Sequence, residues 1–204
     1  MTDFAIHKNG FWESIDSSGH VYDEPLCDAI VKVLKNEKAA NIIDLGCGMG
    51  NYVKALREQG FECDGFDGNP NTVILTNGMA KVLDFSIPFN LHKKYDWVLS
   101  LEVGEHIPQE FEKIFLDNVV NHAKKGIILS WAIPGQKGDG HVNCKSNRYI
   151  IQQMKKRGWR YDLPTARDLR KEAALGWFKN TIMIFRNTGK TKSIFQIIPS
   201  FFHK

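Results

Sequence analysis

The chain has 204 residues, of which 43% are hydrophobic and 25% are charged, and this is enough for one full hydrophobic core but hardly for two. Its 27 basic and 23 acidic residues leave a formal charge of only +4, which does not by itself indicate a nucleic-acid or anionic-membrane partner. The four cysteines form no C-x-x-C pair, and no apolar run approaches the ~20 residues of a membrane span. We therefore expect a single-domain soluble protein of the reducing cytoplasm.

Short apolar runs alternate along the chain with amphipathic stretches of helical length. The apolar runs predict seven strands, at 42–45, 62–66, 80–83, 97–101, 127–131, 159–162 and 181–186. The amphipathic stretches predict helices at 23–35, 52–59, 109–122, 147–157 and 165–175. This alternation predicts an α/β fold of three layers, in which helices cover a doubly wound, mostly parallel, seven-stranded sheet.

A glycine-rich turn, D-L-G-C-G-M-G, follows the first predicted strand at residues 44–50. Glycines permit positive φ angles and let a ligand lie against the backbone, and the free N–H groups of the next helix can donate hydrogen bonds to it. A dinucleotide fold typically reads G-x-G-x-x-G, whereas here the third glycine, Gly50, comes one residue early. The turn therefore predicts a ligand site, and its spacing disfavours a dinucleotide.

Acidic residues also follow the next three predicted strands. Asp67 lies 23 residues after Asp44, where a carboxylate can accept both hydroxyls of a ribose, although this match also suits NAD. Asp84 and Phe85 follow the third strand, and L-E-V-G-E-H-I follows the fourth at residues 101–107. Each acid alone is compatible with an ordinary solvated loop, but their joint spacing favours one shared site.

These four motifs together resemble the class I S-adenosylmethionine-dependent methyltransferase family, and D-x-G-x-G-x-G is similar to its motif I. The resemblance covers residues 41–131 and implies S-adenosylmethionine as the cofactor. It places Asp44 near the amino-acid end of that cofactor, which has no phosphate. In a dinucleotide site the same carboxylate would lie beside a pyrophosphate, and the two negative charges would repel each other. It places Asp67 at the ribose, and Asp84 with Phe85 at the adenine. The cofactor-binding set that it implies is Asp44, Gly46, Cys47, Gly48, Gly50, Asp67, Gly68, Asp84, Phe85, Leu101 and Glu102.

The chain lacks the sequence signatures of several acceptor classes of this family and of its metal-dependent class. The chain has neither the Asn/Asp-Pro-Pro-aromatic tetrapeptide of enzymes that methylate exocyclic amines of bases nor the Pro-Cys nucleophile of cytosine C5 enzymes, and this disfavours a nucleic-acid acceptor. It also lacks the Asp and Asn cluster of the metal-dependent catechol type. His141-x-x-Cys144 offers only two ligands, so we expect no metal.

A long loop, residues 130–147, follows the fifth predicted strand and contains G-Q-K-G-D-G-H-V-N. It starts at the carboxyl end of a strand, where open α/β sheets bind ligands, and long loops in short chains are usually functional. His141 is the first candidate for a catalytic base, and His106 with Glu105 is the second. For both histidines a purely structural role, bracing a loop or capping a helix, remains open. Asn143 and Arg148 are candidates for contacts with the acceptor.

The resemblance also divides the chain into three segments. Residues 1–22 are predicted to form a lid that carries Trp12, His20 and Tyr22, because such N-terminal segments often close over the cofactor or acceptor in this family. Residues 23–187 are predicted to form the methyltransferase domain. Residues 188–204 change composition, from T-G-K-T-K to the apolar I-F-Q-I-I-P-S-F-F, and are predicted to form a tail.

We therefore expect a methyltransferase that acts on an oxygen or nitrogen of a small polar or glycan-related acceptor. Two alternatives stay open: a partner subunit that binds the cofactor without catalysis, and, with less support, an NAD-dependent oxidoreductase. The sequence does not decide the acceptor or the oligomeric state.

Overall fold

The computed structural model describes residues 5–15 and 20–189, so that the predicted tail lies outside the described residues from position 190 onward. The strands are β1 Asn41–Leu45, β2 Glu62–Asp67, β3 Ala80–Val82, β4 Tyr95–Ser100, β5 Ala123–Leu129, β6 Trp159–Tyr161 and β7 Met183–Asn187. The helices are α1 Glu24–Asn36, α2 Asn51–Glu58, α3 Thr72–Leu75, α4 Glu112–His122, α5 Asn147–Lys156, α6 Leu163–Glu172 and α7 Phe178–Thr181. A 3₁₀ turn, Gln109–Phe111, precedes α4.

The seven strands form one sheet in the order β3-β2-β1-β4-β5-β7-β6. Every neighbouring pair is parallel except those that involve β7, which runs antiparallel to both β5 and β6. The prediction of a doubly wound, mostly parallel sheet is therefore confirmed. The chain reverses its direction across the sheet between β1 and β4, and such a reversal is where open α/β sheets bind ligands.

The core has two parts, one on each face of the sheet. Residues of α1, α2 and α6 pack with Trp97 on one face, and residues of α4 and α5 pack with Trp131 on the other. All six residues of β4 are buried, as expected for a central parallel strand covered on both faces. These are the three predicted layers.

The boundaries differ from the predictions where the local sequence is misleading. Strand β5 begins at Ala123 rather than Ile127, because its first residues, Ala-Lys-Lys, have the composition of a loop. Helices α3 and α7 were not predicted, since four residues are too few to show a helical period. Strand β7 begins two residues later than predicted because Thr181 ends α7. No helix among the described residues has the length and apolar character needed to cross a bilayer.

Asp23 connects the two ends of the domain. Its carboxylate caps α1 by accepting from Leu26 N at 3.0 Å, and it also accepts from the backbone N–H groups of Ala174 and Leu175, which follow α6, at 3.2 and 2.8 Å. Only 1% of the residue is exposed. One buried carboxylate thus joins α1 to the segment that leads into α7.

Replacement of Asp23 by alanine should therefore lower the free energy of unfolding by about 2–3 kcal/mol, because a helix cap and two further N–H acceptors are lost together. Urea denaturation measures this change. Asp28→Ala, an exposed position on the same helix, is the matched control and should change the stability by less than about 0.5 kcal/mol. Equal losses in the two variants would show that Asp23 does not connect these elements.

Candidate functional site

A cavity of about 420 Å³ lies at the carboxyl ends of β1, β2 and β4. The glycine turn after β1 forms one wall, and the N-terminal segment and the loop after β5 approach from the opposite side. Most of the residues predicted to bind the cofactor line this cavity, namely Asp44, Gly46, Cys47, Gly48, Asp67, Gly68, Asp84, Phe85, Leu101 and Glu102.

The glycine turn depends on the absence of side chains. Gly46, Gly48 and Gly50 have φ angles of +87°, +51° and +75°, a region that favours glycine. A Cβ atom on Gly46 would lie 2.2 Å from Val103, and one on Gly48 would lie 2.5 Å from Nδ1 of His20. Gly50 does not line the cavity but precedes α2 as its N-cap. The turn thus lets neighbouring loops approach the backbone closely.

Asp44 is a buried carboxylate at the start of this turn. Only 3% of the residue is exposed, and its Oδ2 atom has no hydrogen-bond partner. Burial, together with the nearby charge of Asp67, raises the pKa of Asp44 to about 8. A buried carboxyl group with an unpaired oxygen in the wall of a cavity is suited to a ligand that brings a positive charge or a hydrogen-bond donor.

Asp67 is held in place by the backbone around it. Its Oδ2 accepts from Gly48 N and its Oδ1 accepts from Asn69 N, both at 2.9 Å. Each carboxylate oxygen can accept a second hydrogen bond, so both can still receive donors from a ligand. Gly68 follows directly, and a Cβ atom there would lie 2.5 Å from Cβ of Phe11.

The N-terminal segment, residues 5–15, lies over this end of the cavity. Asn9 Nδ2 donates to Asp84 Oδ2 at 2.8 Å, and Asn69 Nδ2 donates to the carbonyl oxygen of Ser14 at 2.8 Å. The ring of Trp12 lies 5.1 Å from that of His20. The three predicted lid residues, Trp12, His20 and Tyr22, all line the cavity.

Glu102 joins three segments at the opposite side of the cavity. Its Oε2 accepts from Gln136 Nε2 at 2.6 Å, its Oε1 accepts from Thr181 Oγ1 at 3.2 Å, and its backbone N–H donates to Ser130 Oγ at 2.8 Å. Its φ angle of +53° is unusual for a residue with a side chain. Both carboxylate oxygens are therefore already paired with the protein.

Glu105, His106 and His141 lie together beside Glu102. Burial raises the pKa of Glu105 well above its usual range, and the charge of Glu102 adds to this shift. Burial, together with the neighbouring His141, lowers the pKa of His106 to about 4, so this ring is uncharged at neutral pH. The two rings meet edge to face with centroids 5.0 Å apart. His106 and His141 line the cavity, whereas Glu105 lies behind them.

The orientation of His141 is set by its own loop. Its Nδ1 lies 3.1 Å from the carbonyl oxygen of Gln136, and since a carbonyl can only accept, Nδ1 carries the proton. The lone pair of Nε2 is then available. A Cβ atom on Gly138 would lie 2.2 Å from Nε2, so this glycine makes room for the ring.

Asn143 and Arg148 do not line the cavity. Asn143 is buried and supports the loop: its Nδ2 donates to Glu112 Oε2 at 3.1 Å, and its carbonyl oxygen accepts from Trp131 Nε1 at 2.7 Å. Arg148 is exposed on α5. Cys47 lines the cavity, and burial raises the pKa of its thiol, so the thiol stays protonated.

A family model described as a methyltransferase domain matches residues 19–163. The chain belongs to this methyltransferase-domain family. It is 30% identical to norajmaline N-methyltransferase of Rauvolfia serpentina over 128 residues, which are 55% of this chain and 40% of that protein. It is 25% identical to the chloroplastic tocopherol O-methyltransferase of Arabidopsis thaliana over 171 residues, which are 64% and 49% of the two chains. The matched part therefore spans less than half the length of either relative.

Solved methyltransferase structures share the fold. The amino pentose methyltransferase CalS10 of Micromonospora echinaspora, with S-adenosylmethionine bound, has a TM-score of 0.65 at 12% identity over 84% of this chain and 94% of that one. The magnesium protoporphyrin IX methyltransferase ChlM of Synechocystis PCC 6803, with bound SAH, has a TM-score of 0.61 at 18% identity over 79% and 82%. The predicted Rossmann-like methyltransferase fold is confirmed.

The cavity is also lined by residues that were not predicted to do so, among them Asn9, Gln136, Trp177 and Phe178. Gln136 belongs to the G-Q-K-G-D-G-H-V-N segment, so its place in a functional loop could have identified it. Trp177 and Phe178 come at the start of the short helix α7, and Asn9 has no fixed spacing to any motif, so sequence patterns gave no signal for these three.

Proposed function

We propose that this protein is an S-adenosylmethionine-dependent methyltransferase that acts on an oxygen or nitrogen of a small polar or glycan-related acceptor. The observation that carries the proposal is Asp44, whose buried carboxylate faces the cavity with one oxygen unpaired. A partner with an ammonium group would offset the cost of ionising this buried carboxyl group. A pyrophosphate would increase the cost, and this argues against the NAD alternative.

The residues present suit this cofactor. Asp44 would receive its ammonium group, Asp67 its two ribose hydroxyls, and Asp84 its adenine amino group beside Phe85. Asp84 already accepts from Asn9, but a second lone pair on the same oxygen remains for the adenine. The cofactor supplies a methyl group on a positively charged sulfur, which an acceptor lone pair can attack.

The acceptor would meet His106 and His141 at the other side of the cavity, with Glu105 behind them. Since the pKa of His106 is lowered to about 4, this ring is a poor base at neutral pH. In the simplest mechanism Nε2 of His141 takes the acceptor proton, while Gln136 fixes the ring through Nδ1. A cavity of about 420 Å³ that must hold cofactor and acceptor atoms together favours a small acceptor. The relatives named for norajmaline, tocopherol and an amino pentose support a small-molecule acceptor of this kind.

Cofactor binding should release a proton from Asp44. Because its pKa is raised to about 8, Asp44 is protonated in the free protein at pH 6.5, and pairing with an ammonium group requires the ionised form. Calorimetric titration with S-adenosylmethionine in buffers of different ionisation enthalpy should show the release of close to one proton. Asp44→Asn should abolish the release and weaken binding, whereas Asp28→Asn should change neither. Enthalpies of the unaltered protein that do not depend on the buffer would contradict this role of Asp44.

Methyl transfer can be tested without knowing the acceptor. The protein is incubated with S-adenosylmethionine labelled in the methyl group and with fractionated cell metabolites, and label in a new small molecule is measured. His141→Ala should lower the rate of transfer by about 10²- to 10⁴-fold and leave the cofactor affinity within about twofold. His92→Ala, an exposed histidine outside the cavity, is the matched control. Cofactor binding without transfer to any fraction would instead support the non-catalytic alternative.

A further inference from the structure

The side chains of Glu105, His106 and His141 form a cluster with the composition of a metal site. One carboxylate oxygen and two ring nitrogens, one from each residue, lie within 4.8 Å of one another. Glu105 and His106 come from the loop after β4, and His141 comes from the loop after β5. Two of these side chains reach the cavity, and the third lies directly behind them.

In the described part of the chain no cation pairs with the carboxyl group of Glu105, and the charged side chain that acts on it is another acid, Glu102. The residue is 0% exposed, and neither of its carboxylate oxygens has a hydrogen-bond partner. Within residues 5–15 and 20–189, no lysine or arginine forms an ion pair with it. A buried carboxylate is normally paired with a cation or coordinates a metal, so this side chain indicates that a positive charge belongs beside it.

The neighbouring residues cannot supply that charge. Glu102 is itself a carboxylate, and its two oxygens are occupied by Gln136 and Thr181. The Nδ1 atom of His106 is also buried without a hydrogen-bond partner. The cluster thus presents unused oxygen and nitrogen lone pairs next to a second acid.

The orientation of His141 fits the role of a ligand. Histidines that bind metals usually donate their other ring N–H to a carbonyl or carboxylate, and this fixes the tautomer and the direction of the ring. The hydrogen bond from Nδ1 of His141 to the carbonyl oxygen of Gln136 is of this type, and it leaves the lone pair of Nε2 for a ligand bond.

We propose that Glu105, His106 and His141 bind a first-row divalent transition-metal ion at the acceptor side of the cavity. Two imidazoles and one carboxylate suit ions such as Mn²⁺, Co²⁺ or Zn²⁺ better than Mg²⁺, which prefers oxygen ligands. Three protein ligands leave coordination positions for water or for a hydroxyl of the acceptor.

The role of the ion, unlike its binding, rests on the proposed function. An acceptor hydroxyl bound to the ion would lose its proton to bulk water more readily, so in the metal-bound protein Nε2 of His141 would be a ligand and bulk water would replace it as the base of the mechanism proposed above. The ion would also select an oxygen acceptor over an ammonium group, because two cations repel. The acceptor class of the methyltransferase is then a small molecule with a hydroxyl group.

The binding is tested on the full chain after removal of metals with a chelator. Titration with Co²⁺, followed by its visible absorption, and with Mn²⁺, followed by electron paramagnetic resonance, should each give one equivalent per chain. Glu105→Gln and His141→Ala should each weaken binding at least about 10- to 100-fold, since each removes a ligand. His92→Ala, which changes an exposed histidine outside the cavity, should bind as the unaltered protein does. Circular dichroism establishes that each variant is folded, and His141→Ala, which lies in a loop, tests the site even if Glu105→Gln does not fold.

Three results would overturn the site: no stoichiometric binding of either ion, unchanged affinity in His141→Ala, or tighter binding of Mg²⁺ than of Mn²⁺. Binding of S-adenosylmethionine to the same chelator-treated samples separates this inference from the proposed function. If the cofactor binds and the ions do not, the metal site fails alone. If the ions bind and the cofactor does not, the proposed function fails while the site stands.

Discussion

Five carboxylates converge at one edge of the sheet, and in the described part of the chain none of them forms an ion pair with a lysine or an arginine: Asp44, Asp67, Asp84, Glu102 and Glu105. Burying an acid without a cation costs free energy, and a ligand that supplies a positive charge or hydrogen-bond donors offsets this cost. The five acids differ in how many of their carboxylate oxygens already accept hydrogen bonds from the protein. Asp67, Asp84 and Glu102 accept hydrogen bonds on both oxygens, whereas Asp44 retains one free oxygen and Glu105 two.

This difference divides the cavity into two parts. At the glycine turn, the free oxygen of Asp44 suits the ammonium group of the cofactor. At the loops after β4 and β5, the free oxygens of Glu105 suit a metal ion beside the acceptor. The parallel order of β1, β2 and β4 brings the two parts to one edge, because the carboxyl ends of parallel strands lie side by side. The N-terminal segment and Gln136 then close the cavity around them.

The fold could be predicted from the sequence, and the residues assigned to the cofactor could be placed along one cavity, because both depend on short-range patterns. Buried runs such as the one in β4 identify the strands, and the glycine turn with Asp67 follows at a fixed distance along the chain. The N-terminal contacts could not be predicted in detail: Asn9 reaches Asp84 across 75 positions, and no periodic pattern encodes such a pair. Glu105 could be identified as a candidate from its motif. That its carboxyl group has no hydrogen-bond partner depends on contacts between distant parts of the chain, and no sequence pattern encodes these. Arg148 was named on charge alone, and the exposed face of α5 keeps it away from the cavity.

The central claim is that Asp44 selects a cofactor with an ammonium group over a dinucleotide, and the most direct test is to measure which of the two ligands binds. Calorimetric titration of the full chain with S-adenosylmethionine and, separately, with NAD⁺ under the same conditions measures it. We expect one S-adenosylmethionine to bind per chain and NAD⁺ to show no saturable binding, because an ammonium group offsets the cost of ionising Asp44 whereas a pyrophosphate increases that cost. Saturable binding of NAD⁺ together with no binding of S-adenosylmethionine would contradict the proposed use of this edge of the sheet.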